Sequence, residues 1–258
     1  MSDVPLTVEH TGSIVRLRFN RPASLNAINS ALATAFLQAV TSAVADNSVR
    51  VIVLSGAGRS FMAGGDIAQF SSAPETIPED LIEPMNQAIR LLRRSNKLVL
   101  GSVHGPVTGA GMSLALSCDL LLAADNTRFS FAYTALAVSG DLGISWALPR
   151  LLGLRRALGI ALLGDTIQAG DGQRLGLVNR VVELDQLTAC TDEVAQQLAE
   201  LPASAASNIK RLMQAGLDQD LESILAAEKV SFDHCIKQPE FKSAVSSFMA
   251  GRTRSPSA

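Results

Sequence analysis

Residues 104–125, "HGPVTGAGMSLALSCDLLLAAD", show most clearly how this chain folds. Glycine and alanine at 109–111 open a short helical pattern, and the apolar run "CDLLLAAD" after it predicts a buried strand. A second apolar run, "KLVLGSV", comes directly before the stretch and also predicts a strand. The chain therefore passes from strand through a small-residue turn into a helix and back to strand. This alternation favours an α/β core in which helices pack against the faces of the sheets.

The N-terminal half shows the same alternation. "RVIVLSG" at 50–56 predicts a short buried strand, and a helical pattern follows at about 80–94. Alternating apolar and polar residues on both sides of Thr11-Gly12 predict a hairpin. Apolar residues at every fourth position predict a capped amphipathic helix over 30–46.

The pattern changes in the C-terminal part of the chain. From about residue 184 onward it is almost wholly helical, interrupted by two proline breaks. This shift separates a core at 1–200 from a helical region at 201–258, whose polar tail we expect to be mobile. Within the core, "SSAPETIPED" at 71–80 is the most loop-like stretch.

Composition limits the possible functions. The 258 residues are 47% hydrophobic, enough for a full core, and 22 basic against 24 acidic side chains leave a net charge of -2. Such a balance does not favour nucleic acid or anionic lipid as a partner. Three widely spaced cysteines match neither a disulfide framework nor a metal site. Neither a signal peptide nor an apolar run of about 18 residues is present, so we expect a cytoplasmic protein.

Two turns rich in small residues carry the first chemical signal. "SFMAGGDI" at 60–67 and "HGPVTGAGMSLA" at 104–115 each lead from a strand edge into a helix. Small residues let a ligand atom approach the backbone N-H groups closely. Each turn alone is more often a packing device, and neither has the spacing of a P-loop or of a dinucleotide-binding loop. Together, however, they could clamp one oxygen between two donors, as an enolate or a tetrahedral intermediate requires.

Four stretches carry a resemblance to a known family. "NRPASLNAIN", "SFMAGGDI", "HGPVTGAGMSLALSCDLLLAAD" and "FSFAYTALAVSGDLGISWALPRLLG" occur in the order and spacing of the enoyl-CoA hydratase/isomerase (crotonase) superfamily, which the chain resembles over roughly residues 5–250. The resemblance implies the α/β crotonase (ClpP/crotonase-like) fold, a spiral of repeated ββα units with a helical C-terminal trimerisation region. It also implies an acyl-CoA substrate, no metal, no cofactor apart from the coenzyme A of the substrate, and a homotrimer or dimer of trimers.

The same resemblance assigns site residues. The two backbone donors for the thioester oxygen correspond to the amides of Gly65 and Ala110. The family most often has glycine at the second of these positions, but a main-chain donor tolerates alanine. The resemblance implies that backbone groups of Asn26, Ala27, Ala63, Gly64, Asp66 and Ile67 hold coenzyme A, that Tyr133 lines the acyl pocket, and that Phe248 and Arg252 contact coenzyme A across a subunit boundary.

The acid-base group is the point at which this sequence departs from the hydratases. Their two glutamates correspond to Ser113 and Tyr133, and neither hydroxyl is a base near neutral pH. The acid that remains is Asp141, eight residues beyond Tyr133. Its apolar neighbours, among them Ala137, Val138, Leu142 and Ile144, are expected to desolvate it and raise its pKa. A lone aspartate before a helix could also simply cap that helix. Trp146, in the same stretch, is expected to belong to the core rather than to contact a ligand.

The surrounding sequence looks most like the ring-1,2-epoxyphenylacetyl-CoA isomerases and the Δ3,Δ2-enoyl-CoA isomerases. We therefore expect an isomerase that moves a double bond, or rearranges an epoxide-type thioester, with Asp141 as its base. A hydratase with altered acid-base groups is the first alternative. Attack of Asp141 on carbon, as in the aryl-CoA dehalogenases of the family, and a non-catalytic acyl-CoA-binding scaffold are the others. An RNA-binding relative is disfavoured, since the most basic stretch is only "RLLRRSNK".

Overall fold

The computed structural model describes residues 4–252, which form two sheets and eleven α-helices. The strands are β1 (Leu6–Thr11), β2 (Ile14–Phe19), β3 (Val51–Gly56), β4 (Leu98–Val103), β5 (Pro106–Thr108), β6 (Leu120–Ala124), β7 (Arg128–Ser130), β8 (Ile167–Gln168) and β9 (Arg180–Val182). The helices are α1 (Ser30–Ala45), α2 (Ile67–Ser72), α3 (Glu83–Arg94), α4 (Ala110–Leu116), α5 (Ile144–Leu152), α6 (Leu154–Leu163), α7 (Ala169–Leu175), α8 (Leu187–Glu200), α9 (Ala203–Ala215), α10 (Leu221–Ile236) and α11 (Pro239–Arg252).

The larger sheet has six strands in the order β1-β2-β3-β4-β6-β9. The first two strands are antiparallel, with Thr11 opposite Ile14, so the predicted hairpin is confirmed. All other pairs are parallel, and Val51 of β3 lies opposite Leu98 of β4. Parallel strands need helical crossovers, and the alternation seen in the sequence supplies them.

Both faces of the larger sheet are buried at its central strand β3. Ile52 and Leu54 of β3 face the main core, whereas Val51 and Val53 face a second cluster that includes Ala195 of α8. This explains why β3 is a continuous apolar run rather than an alternating one.

The smaller sheet joins β5, β7 and β8. Only two residues separate β4 from β5, so the chain leaves one sheet and enters the other immediately before the turn at 109–111. Strands of two or three residues are too short to show an alternating pattern, and the sequence did not predict β7, β8 or β9.

The helices agree with the sequence pattern in most places. The side chain of Asn29 accepts a hydrogen bond from the amide of Leu32 at 2.9 Å and caps α1, as its position predicts. The expectation of an open loop at 71–80 is wrong. After α2 ends at Ser72, this stretch forms a 3-10 turn at Pro74–Thr76 and a π turn at Pro78–Ile82 that leads into α3.

The chain divides into two compact units, one ending at Ala199 and the other beginning at Glu200. The second unit consists of α9, α10 and α11, preceded by the last residue of α8. Its side chains are mostly exposed, including large apolar ones such as Met213 and Phe232. Beyond the end of α11, the polar tail lies outside the described residues. None of the described helices combines the length and the apolar character needed to cross a membrane.

Candidate active site

The two small-residue turns lie side by side. Met62, in the first turn, forms a parallel bridge with Val107 of β5, and the amide of Thr108 donates to the carbonyl of Met62 at 3.0 Å. On its other side the first turn bridges to Ile28, whose amide donates to the carbonyl of Gly64 at 2.8 Å. Three segments that are far apart in the sequence are thus fixed to one another by backbone hydrogen bonds.

Two glycines permit this close approach. Gly64 has φ +96°, and a Cβ atom there would lie 3.2 Å from the carbonyl oxygen of Thr108 and 3.8 Å from the amide nitrogen of Ala110. Gly109 has φ 52° and ψ -120°, a combination that L side chains rarely adopt. Any other residue at these two positions would strain the backbone on which the neighbouring amides depend.

The amides of Gly65 and Ala110 are the open donors of this site. In the described part of the chain, neither N-H group has a hydrogen-bond acceptor. Ala110 is 3% exposed and begins α4, and the ring of Phe70 lies against Gly65. Two unpaired N-H groups on rigid, partly buried backbone can bind an oxygen that becomes negatively charged.

A chain of three side chains leads from α4 to Asp141. The hydroxyl groups of Ser113 and Tyr133 lie 2.8 Å apart, and Tyr133 also donates to Oδ1 of Asp141. Ser113 is in the first turn of α4, three residues beyond Ala110, and Tyr133 is close to Gly109. The carboxyl group is therefore tied to the same structural element as one of the open amides.

Burial shifts the pKa of both titratable groups of the chain. It raises the pKa of the Tyr133 hydroxyl far above its usual range, and the nearby Asp141 carboxylate raises it further. Burial also raises the pKa of Asp141, and the hydrogen bond from Tyr133 opposes that rise. The tyrosine thus stays neutral at all ordinary pH values, whereas the aspartate is a stronger base than an exposed one.

The apolar surroundings of Asp141 differ in part from those expected. Leu142 and Ile144 are buried, as a desolvating role requires, but Ala137 and Val138 are exposed. The capping alternative is wrong, because α5 begins after Gly143 and no side chain caps it. The carboxylate bonds to Tyr133 instead of to the helix.

Irregular backbone sets the direction of these side chains. Ala132, Ala137 and Leu142 all have positive φ values, of 54°, 55° and 48°. Such conformations cost free energy in residues other than glycine and persist only where the surrounding structure enforces them. They flank Tyr133 and Asp141 and turn the chain so that the two side chains meet.

Asn26 and Asp66, expected near coenzyme A, have structural partners. The fully buried amide of Asn26 donates to the carbonyls of Ala57, Ser60 and Phe61 and accepts from the amide of Arg21. The carboxylate of Asp66 caps α2 and forms an ion pair with Arg21 at 2.8 Å. Their side chains hold the first turn in shape and are saturated with partners. The cap of α2 by Asp66 agrees with the position of this residue before the helix, whereas sequence reasoning missed the hydrogen bonds of Asn26.

The remaining residues predicted to contact coenzyme A are spread over the structure. Ala27 is buried and its carbonyl accepts from Arg21, while the amide of Ala63 donates to the carbonyl of Leu25. Ile67 is exposed at the start of α2, and Phe248 is exposed on α11. Arg252 is the last residue of α11, and its side chain lies outside the described part of the structure. Contact of these residues with a ligand stays a prediction.

Trp146 is a further correction. The expectation that it belongs to the core is wrong, since it is 37% exposed on α5. The guanidinium groups of Arg93 and Arg150 stack on its ring, 4.2 Å and 4.3 Å from the ring centroid. Stacking of cations on an indole ring stabilises such a partly exposed position.

Comparison with known proteins gives consistent results. A sequence model of the family "Enoyl-CoA hydratase/isomerase" matches residues 9–255. The chain is 31% identical to 4-chlorobenzoyl coenzyme A dehalogenase-2 of an Arthrobacter species, with 98% of this chain and 94% of that protein covered. It is 30% identical to 1,2-epoxyphenylacetyl-CoA isomerase of Escherichia coli K12, with 93% of each covered.

A solved structure from Thermobifida fusca YX, assigned as an enoyl-CoA hydratase and determined with acetoacetyl-CoA, superimposes with a TM-score of 0.85. Its sequence identity to this chain is 28%, and the match covers 90% of this chain and 95% of the other. The relatives thus act on acyl or aryl thioesters of coenzyme A, but their names describe three different reactions.

Proposed function

Because the chain belongs to the enoyl-CoA hydratase/isomerase family and has its crotonase fold, we propose that it is an acyl-CoA isomerase. In this proposal Asp141 moves one proton along the acyl chain, and the amides of Gly65 and Ala110 hold the thioester oxygen. The observation that carries the proposal is a single desolvated carboxylate, linked through Tyr133 and Ser113 to the helix that begins with the unpaired amide of Ala110. The family resemblance places these two hydroxyl side chains where the hydratases have their glutamates.

One carboxylate is sufficient for a 1,3-proton shift. The Asp141 carboxylate removes a proton from C2 of a β,γ-unsaturated thioester, and the electron pair of that C-H bond passes into a dienolate whose negative charge rests on the thioester oxygen. Asp141 then returns the proton at C4, the double bond moves into conjugation, and the carboxylate is regenerated. No water is consumed and no group leaves, so no second acid or base is needed.

The magnitudes are adequate for catalysis. A positioned general base contributes about 10²- to 10⁴-fold in rate, and one oxyanion donor contributes about 10²- to 10³-fold. The raised pKa of Asp141 strengthens it as a proton acceptor, while a partly buried site makes each N-H donor more effective than it is in water.

Hydration is the runner-up, and the residues at the site argue against its ordinary form. Adding water across a double bond needs one group to activate the water and another to protonate the carbon. Here Ser113 and Tyr133 occupy the glutamate positions, and burial keeps the tyrosine hydroxyl protonated. A hydratase reaction would therefore have to use Asp141 in both roles.

Direct attack of Asp141 on an aryl carbon is the second candidate. The observation in its favour is the 31% identity to a 4-chlorobenzoyl coenzyme A dehalogenase over nearly the whole chain. Such a reaction forms an ester between the carboxylate and the ring with loss of chloride, and water then hydrolyses the ester. Desolvation makes the Asp141 carboxylate both a stronger base and a stronger nucleophile. The two reactions are therefore distinguished by which substrate the protein converts.

Three thioesters distinguish these functions in one experiment. The protein is incubated separately with 3-hexenoyl-CoA, 2-hexenoyl-CoA and 4-chlorobenzoyl-CoA, and the products are identified by ultraviolet absorbance and mass spectrometry. We expect 3-hexenoyl-CoA to become the conjugated 2-enoyl thioester and the other two to be stable. If 3-hexenoyl-CoA is unchanged, hydration of 2-hexenoyl-CoA would identify a hydratase, and release of chloride from 4-chlorobenzoyl-CoA would identify a dehalogenase. Either result would overturn the isomerase proposal. Binding of all three without turnover would indicate a scaffold.

A further inference from the structure

We propose that Tyr133 is a positioning residue that occupies Oδ1 of Asp141 and leaves Oδ2 as the oxygen that exchanges the substrate proton. Ser113 is the residue that orients the tyrosine hydroxyl. The assignment rests on the proposed function of Asp141 as the base, and it adds which oxygen reacts and what holds it.

The direction of each hydrogen bond follows from the hydrogens available. An ionised carboxylate has none, so the contact between Tyr133 and Oδ1 of Asp141 uses the single hydroxyl hydrogen of the tyrosine. The tyrosine oxygen can then only accept from Ser113, whose hydroxyl lies 2.8 Å away. The other acceptor near Ser113 is the carbonyl of Gly109 at 3.3 Å, which already accepts from the Ser113 amide at 3.0 Å. The chain therefore runs in one direction, from serine to tyrosine to aspartate.

Packing holds the tyrosine in this role. Its side chain is 6% exposed, and its ring makes an edge contact with Phe131 at a centroid distance of 4.9 Å. Burial also keeps the hydroxyl protonated, so it remains a donor throughout the pH range in which the enzyme is folded. A rigid neutral donor fixes the carboxylate without taking part in proton transfer.

The two carboxyl oxygens of Asp141 therefore differ in their hydrogen-bond donors. Oδ1 accepts from Tyr133, whereas Oδ2 accepts from no other residue in the part of the chain that the structure describes. When Oδ2 takes a proton, Oδ1 still has a lone pair for the tyrosine, so this hydrogen bond persists through both half-reactions. The same oxygen can remove the proton at C2 and return it at C4 while the carboxyl group keeps its orientation.

The test replaces Tyr133 by phenylalanine, which removes the hydroxyl and keeps the ring against Phe131. A donor to a carboxylate stabilises its ionised form, so Tyr133→Phe should raise the pKa of Asp141 by about one to two units. The pKa is measured in the substrate-free protein by NMR titration of ¹³C-labelled aspartate, with Asp141→Asn identifying the signal. Ser113→Ala should shift the same signal in the same direction by a smaller amount.

A matched control comes from a second buried serine. The hydroxyl of Ser102 bonds to that of Thr191 at 2.7 Å, within the core and apart from the Ser113–Tyr133–Asp141 chain. Ser102→Ala loses a buried hydroxyl like Ser113→Ala, yet it should leave the Asp141 titration unchanged. Circular dichroism of each variant checks that the fold is retained.

Kinetics provide the second readout. In Tyr133→Phe the acidic limb of the plot of kcat/KM against pH should move to higher pH, by the same amount as the Asp141 pKa measured by NMR. We expect kcat to be reduced and KM for the thioester to change little. An Asp141 pKa that is the same in wild type and Tyr133→Phe would overturn the positioning role. A shifted titration in proteins that leave every unsaturated thioester unchanged would support the hydrogen-bond assignment and overturn the proposed function instead.

Discussion

In the proposed mechanism, Asp141 combines a chemical role with an energetic cost. Its pKa is raised above the ordinary value of 3.8 mainly because burial disfavours the charged form. The folded protein therefore binds this proton more tightly than the unfolded chain does. The stability of the fold decreases as the pH rises from the unfolded pKa through the folded pKa, and the full cost is present at neutral pH.

Replacing the carboxylate by its neutral isostere should remove that cost. We expect Asp141→Asn to lose roughly 10²- to 10⁴-fold in kcat, because the base is gone. At pH 7 the variant should melt a few degrees higher than wild type, since about 1 kcal/mol shifts Tm by about 2–4 °C in a chain of this size. Below pH 3.8 the difference should vanish. Differential scanning calorimetry at several pH values tests this, and a variant less stable than wild type at pH 7 would contradict it.

At the same scale, the sequence could identify Asp141 but not its partners. It is the only acid in its stretch, and the family resemblance assigns Ser113 and Tyr133 to the positions of the hydratase glutamates. The hydrogen bond between Tyr133 and Asp141 lies in backbone with positive φ values at Ala132 and Ala137. An alanine in a sequence does not predict such a conformation. The sequence also could not predict the hydrogen bonds of the Asn26 side chain. Its acceptors are backbone carbonyl groups, which every residue type has.

Among the elements, the turn before α4 determines the position of the Ala110 amide, one of the two proposed oxyanion donors. Gly109 directs the chain from β5 into α4 with a backbone conformation that suits glycine, and the amide of Ala110 follows it. A Cβ atom at Gly109 would meet no atom closer than 3.9 Å, so a side chain there acts through backbone strain rather than through a clash.

Gly109→Ala should therefore shift the Ala110 amide and lower kcat/KM by about 10²- to 10³-fold, the usual effect of losing one oxyanion donor. Binding of free coenzyme A, measured by calorimetry, should change little. Gly153→Ala is the matched control, because Gly153 also has positive φ, at +78°, and open space around its Cβ position. Equal losses of activity in the two variants would argue against a specific role for the turn.

Element prediction succeeded where the pattern is long and failed where it is short. The hairpin, α1 and the apolar strands β3, β4 and β6 extend over enough residues to show their period. The helical turns of 71–80 are short and contain two prolines at first-turn positions, which composition alone cannot distinguish from a loop. Trp146 was misplaced because the arginine on α3 that stacks on it is distant in the sequence.

For the whole molecule, the most informative feature is apolar surface without a cover in one chain. On α10, Val230 and Phe232 are each 69% exposed. Large apolar patches on a folded chain usually mark contact surfaces. The helical pattern of this region was evident from the sequence, but exposure depends on packing that no pattern shows.

We expect the protein to assemble as a trimer or a dimer of trimers through surfaces that include α10. Sedimentation velocity should show a species of at least three chains, and Phe232→Asp should shift it toward smaller species, because a charge would be buried without a partner. Substituting the exposed Glu222 of the same helix by glutamine is the control and should leave the distribution unchanged. A wild-type monomer at micromolar concentration would contradict the expectation.

The central claim is that Asp141 transfers a proton along an acyl-CoA thioester, and one measurement tests it most directly. Wild type and Asp141→Asn are incubated with 3-hexenoyl-CoA in D₂O, and conversion and deuterium content are followed by mass spectrometry. We predict that wild type forms 2-hexenoyl-CoA in which the new C4 hydrogen is mainly the one removed from C2, with deuterium entering only as far as protonated Asp141 exchanges with the solvent. The variant should still bind the thioester but convert it about 10²- to 10⁴-fold more slowly. Equal conversion by both proteins would contradict the claim.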